Sequence, residues 1–123
     1  MIVQIKDVPN NMVAFKADGE VTKEDFEVVK QEVASLVDAT GKLNYLLFLD
    51  NSPKDFTIGA WMQDALLGIS NITKWNRAAI ISDSDAVITF TDAFSKVMPG
   101  EFKGYAKADY DKAVNWVSER SDV

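Results

Sequence analysis

Two pairs of carboxylates sit just beyond apolar runs. Asp50 closes "LNYLLFLD", with Lys54 and Asp55 in the loop behind it, and Asp83 and Asp85 follow "RAAIIS". Acidic residues after buried strands collect at the carboxyl edge of a sheet, where open α/β domains bind ligands. Such a set could hold a hard cation or, with Lys54, serve metal-assisted hydrolysis. The spacing imposes neither. Asp83, Ser84 and Asp85 suit a helix cap better, and Asp50 suits a turn that bonds its own loop. The chain has no histidine and no cysteine. That removes the usual general base, the usual zinc ligands and every thiol mechanism. No catalytic residue, metal site or cofactor is assigned, and the chain reads as a non-enzyme.

A second constellation is apolar. Ile58, Trp61, Met62, Ala65, Leu66 and Ile69 fall on one broad stripe of a helix expected over 57–71. Leu67 falls on its other side, and Ile88 lies off the main stripe of the next helix. Phe56, Trp61, Met62, Phe90 and Phe94 could wall a crevice between these two helices, gated by the 51–55 loop. The same residues would serve as ordinary core. An open crevice would take a small apolar or lipid-like molecule. Leu67 and Ile88 are the expected interface residues, toward a second copy of the chain or a bilayer surface. Thr57, at the start of the helix, is either a cap or a phosphorylation site, since helix N-terminal amides favour phosphate.

These residues need a scaffold. "MIVQI" and "MVAFKADGEV" read as a hairpin around the turn "DVPNN". Thr22 and Asp25 have helix-start spacing, with Val21 and Phe26 placed as a hydrophobic staple. Val29, Val33 and Leu36 continue one helical face, which Gly41 ends. "LNYLLFL" lacks polar alternation after Tyr45, the mark of a strand buried on both faces. "RAAIIS" (77–82) reads as another buried strand. A helix over 85–98 follows, stopped by Pro99-Gly100, then the strand "EFKGY" and a helix over 108–119. Trp75 and Trp116 read as packing residues. The order ββαβαβαβα predicts one α/β domain over 1–123, with a mixed, mostly parallel sheet and right-handed crossovers.

The net charge is −6 and the pI about 4.5. That balance repels phosphate backbones and argues against nucleic acid as a partner. It disfavours simple electrostatic docking on anionic lipid, although apolar insertion could still give peripheral membrane contact. No basic segment followed by a long apolar run opens the sequence, and no run is long enough to span a bilayer. A cytoplasmic homodimer is the expectation.

"VAFKADGEVTKEDFE", "LNYLLFLD", "RAAIISD", "AFSKVMPGEFKGY" and "YDKAVNWV" stand in the order and spacing of the SpoIIAA-like proteins. From Met12 to about Val117 the chain resembles that branch of the STAS/SpoIIAA-like superfamily. The resemblance implies a stack of βα units and a non-enzymatic domain. Sporulation-type relatives are anti-sigma-factor antagonists, phosphorylated on the serine of a D-S-x-G motif. Here Thr57 takes the phosphoacceptor place and Gly59 the glycine, while Phe56 stands where the motif has aspartate. The alternative to ligand binding is therefore a protein-binding regulatory module switched at Thr57. The fold is also similar to CRAL-TRIO domains, which carry apolar molecules.

Overall fold

The computed structural model describes residues 1–19, 23–50, 74–96 and 100–119. Strands β1 (Ile2–Ile5) and β2 (Val13–Ala17) form an antiparallel hairpin, with Val3 opposite Lys16. Beyond β2 every pairing is parallel, through β3 (Leu43–Leu49), β4 (Trp75–Ile81) and β5 (Glu101–Tyr105). The spatial order is β1-β2-β3-β4-β5, so each new strand is added on the same side.

Helix α1 (Lys23–Thr40) lies between β2 and β3. It buries Val29, Val33 and Leu36 at the expected steps of three and four. Gly41 ends it at φ 76°, a conformation that costs glycine little, and donates its N–H to Val37 O at 2.7 Å. The proposed cap and staple at Val21 and Thr22, and the side chain of Phe26, lie outside the described residues. So does the helix expected over 57–71. Helix α2 (Asp85–Phe94) begins at Ser84, whose side chain accepts from Val87 N. It ends at Phe94 rather than continuing to 98, with a turn at Ser95 and Lys96. The last helix starts later than its sequence suggests. A 3-10 turn (Lys107–Asp109) precedes α3 (Tyr110–Val117), and Glu119 at φ 62° stops further helix.

Two apolar layers sandwich the sheet. Phe15, Tyr45, Leu47, Leu49, Ala78, Ile80 and Phe102 meet α1 and Val87 of α2 on one face. The right-handed crossover rule for sequentially added parallel strands places connecting helices on one side of a sheet, and α1 and α2 share one face here. On the other face Ala14, Leu46, Ala79 and Ile81 meet Ala113 and Val117 of α3. Six of the seven residues of β3 are buried, as a strand that is apolar but for Asn44 requires.

The α3 layer contains more alanine, and polar bonds tie it down. Arg77 Nη1 donates to Trp116 O at 2.7 Å, Nε bonds Glu101 at 3.1 Å, and the guanidinium lies 5.1 Å from the Trp116 ring. Asn11 Nδ2 donates to Ser118 O at 2.8 Å. The carbonyls at the end of α3 are thus met by side chains from β4 and the β1–β2 turn, beside the backbone bond from Glu119 N to Trp116 O at 3.2 Å. Asn44, buried within β3, donates to Asn11 O and accepts from Asn76, so this latch continues across β3 and β4.

Candidate functional site

At the carboxyl edge of the parallel strands, charged groups from four chain segments converge. Lys16 stands one residue before the end of β2, Asp50 directly follows β3, Asp83 follows β4, and Lys107 opens the turn after β5. Lys107 Nζ lies 2.8 Å from Asp50 Oδ1 and 3.9 Å from Asp83 Oδ2. Lys16 Nζ reaches Asp50 Oδ2 at 3.5 Å. Asp50 N donates to Ala17 O at 2.8 Å, which fixes the start of its loop against β2. Beneath the charges lies Phe48, with the Lys107 and Lys16 ammoniums 5.6 and 6.0 Å from its ring centre. Tyr110 meets the same ring edge-on at 6.0 Å.

The electrostatics set what this cluster can do. The hydrogen bond and charge of Lys107, helped by Lys16, hold the Asp50 carboxyl below its ordinary value. Lys107 is pushed above its own, chiefly by its hydrogen bond to Asp50. Both groups are therefore ionised at neutral pH, and neither is poised to exchange a proton there. Tyr110 is raised, mainly by burial and then by Asp111 and Asp7. Among the described residues no group of three or more acidic side chains is placed to hold a metal ion. Ser84 caps α2, and Asp83 Oδ1 accepts from Lys107 N at 3.4 Å. The geometry is that of a charge-neutralised clasp joining strand ends.

The face covered by α1 and α2 carries a different feature. Trp75 opens β4 and is only 6% exposed, packed among Tyr45 at 5.6 Å and Phe102 at 5.1 Å between ring centres. Its indole Nε1 is buried with no hydrogen-bond partner among the described residues. Buried polar atoms are almost always satisfied, so an orphaned donor marks a place where an acceptor belongs. Gly100 crosses Trp75 so closely that a Cβ there would come 2.8 Å from Trp75 O. Ser95, just past α2, accepts from Phe102 N at 2.9 Å, so the orphaned indole and the C-terminal end of α2 both flank Phe102.

Of the residues singled out from the sequence, Phe56, Thr57, Trp61, Met62 and Leu67 lie outside the described residues, as do Lys54 and Asp55. Phe90 and Phe94 fall on α2, with side chains outside the described set. Ile88 is half-buried, its Cα and Cγ2 pressed against Gly104 of β5, where a Cβ would come 2.7 Å from Ile88 Cα. Asp50 and Asp83 share Lys107, while Asp85 is exposed in the first turn of α2. Sequence reasoning passed over Lys16 and Lys107. Lys16 had a signal, since a lysine inside "VAFKA" must find a partner or reach solvent. A shallow hollow of about 240 Å3 on the hairpin, lined by Ile5, Val8, Pro9 and Met12 among others, stands apart from these residues.

The comparisons agree with this architecture. The SpoIIAA-like family model matches residues 12–118. An uncharacterised protein with a SpoIIAA-like fold, from a family of unknown function in Shewanella loihica, superposes with a TM-score of 0.68 at 25% identity. The match covers 94% of this chain and 93% of that one. No curated protein matches the chain. The family match spans all five strands but the first, together with the described helices, and the chain belongs to the SpoIIAA-like family.

Proposed function

We propose that this SpoIIAA-like domain is a non-enzymatic binding module for a small apolar molecule with a polar head, of lipid-like character. The ligand lies between the 57–71 segment and α2, lined by Phe56, Trp61, Met62, Phe90 and Phe94. The observation that supports this reading is the orphaned indole N–H of Trp75, buried among aromatic rings. Apolar pockets select their ligands by shape and orient them with a few well-placed polar groups. An indole donor in an aromatic wall is such a group, and an ester, carboxyl or hydroxyl oxygen would satisfy it. At the carboxyl edge Asp50 and Lys107 bond each other, which fits the non-enzymatic part of this reading.

No described helix is long and apolar enough to cross a membrane, and this reading takes any membrane contact to be peripheral. Native mass spectrometry of protein purified without detergent tests the proposal. The expected spectrum contains a retained apolar molecule, and Trp75→Phe, which keeps an aromatic side chain but removes the indole N–H, lowers its retention. A spectrum of bare protein, with no capture of added long-chain fatty acid and no flotation with vesicles, would contradict it.

A further inference from the structure

The two edges of the sheet are finished differently. At the β5 edge, the outward N–H groups are taken by α2. Gly104 N donates to Asp92 Oδ1 at 2.9 Å, and Phe102 N to Ser95 Oγ at 2.9 Å. Side chains and a close helix thus stopper that edge, a common protection against strand addition. At the β1 edge, Met1 exchanges bonds with Asp18, so Met1, Val3 and Ile5 turn their backbone groups toward β2. Ile2 and Gln4 turn theirs outward, and no described residue takes them.

Exposed apolar side chains gather around that open edge. Among the described residues the exposed large hydrophobics are Met1, Val3 and Val28, at 59, 46 and 50% exposure. All three border β1. Val28 belongs to α1, on the stripe shared by Asp25 and Glu32 at helical spacing. Asp25 reaches the Met1 amine at 3.7 Å and Glu32 bonds Gln4 Nε2 at 3.3 Å, so this stripe hangs over β1. The strand "IVQI" itself carries no charge.

We infer that the β1 edge is a self-association surface, where β1 of a second copy pairs antiparallel about a two-fold axis at Val3. That register is the one the backbone supports. Ile2 of each strand faces Gln4 of the other, and these are the residues whose N–H and C=O point outward. It also makes an apolar ladder, with Val3 against Val3 and Met1 against Ile5 on one face, while Val28 of each copy closes over the other face. A two-fold interface must be self-complementary, and an uncharged strand with exposed valine at its centre meets that condition. An unrelated strand could use the backbone groups, yet only the same strand repeats the ladder in both directions.

Light scattering coupled to size exclusion, over a concentration series of the full chain, tests the inference. The expected result is a dimer that Val3→Lys and Val28→Glu each convert to monomer, with circular dichroism unchanged. Val28→Glu lies on an exposed helix face and keeps the test open if Val3→Lys fails to fold. Hydrogen exchange should show the Ile2 and Gln4 amides protected in the dimer and fast in the variants. A protein that is monomeric at every concentration, or a dimer that survives both substitutions, or outward amides that exchange freely in the dimer, would overturn it.

Discussion

Lys107 and Asp50 meet at 2.8 Å, although 57 residues separate them in the chain. Their contact joins the end of β3 to the turn that follows β5 and so spans the sheet past β4. Asp50 is held below its ordinary 3.8, so its contribution to stability is full above that value and is lost as pH falls through the lower folded-state value. Lys107 is raised above 10.5, so its contribution is full below that value and is lost as pH rises through the higher one. Asp50→Asn should therefore lower the melting temperature near neutrality and leave the acid and alkaline extremes unchanged, which flattens both limbs of the profile; the effect is small because the pair is solvent-screened. Thermal melts across an acid-to-alkaline series read this directly, and unchanged limbs would show that the contact is idle.

Gly104 allows α2 to sit directly on β5. Gly104→Ala places a methyl 2.7 Å from Ile88 Cα, a backbone clash that no rotamer change relieves. The expected loss is about 1–3 kcal/mol, the range for overpacking a filled core. Urea unfolding measures it, and wild-type stability would mean that α2 can lift from the strand without cost.

Arg77 should hold the end of α3 more than its exposed salt bridge suggests. Arg77→Met keeps much of the stem but removes the bond to Trp116 O and the stacking on its ring. We expect a loss of about 1.5–3 kcal/mol, typical of a hydrogen bond to a charged group. The amides of α3 should lose protection in hydrogen exchange while those of α1 keep theirs. Uniform deprotection would instead indicate global weakening.

The central layer tests the packing account. Leu46 is fully buried beneath α3, and Leu46→Ala should cost about 2–5 kcal/mol in denaturant unfolding. A loss well below that range would mean that α3 settles into the space.

Much of the scaffold was legible because single segments carried their own signals. Strands β3 and β5 run over the expected residues: β3 because nothing polar interrupts its second half, β5 because Gly100 precedes it. Helix α1 announced itself through Val29, Val33 and Leu36 and its glycine stop. Trp75 was placed before its strand, but β4 includes it. The register between β3 and β4 shifts at Leu43 and Asn44, and pairing across that irregularity draws Trp75 into the sheet. The clasp of Lys16, Asp50, Asp83 and Lys107 was half visible, since only the acidic members stand next to obvious strand ends. Lys107 acquires its meaning from the sheet order, which brings β3, β4 and β5 side by side. The orphaned Trp75 donor and the unequal edges are properties of three-dimensional packing and leave no mark in local sequence.

The most direct measurement on the binding proposal is the indole 15N–1H spectrum of the full chain, which contains three tryptophans. Trp75→Phe assigns the Trp75 resonance by its disappearance. Addition of a long-chain fatty acid below its micelle concentration should move the Trp75 resonance downfield and slow its exchange with water, as an acceptor reaches the buried N–H. A Trp75 resonance that stays in place while the protein binds no added lipid would contradict the account.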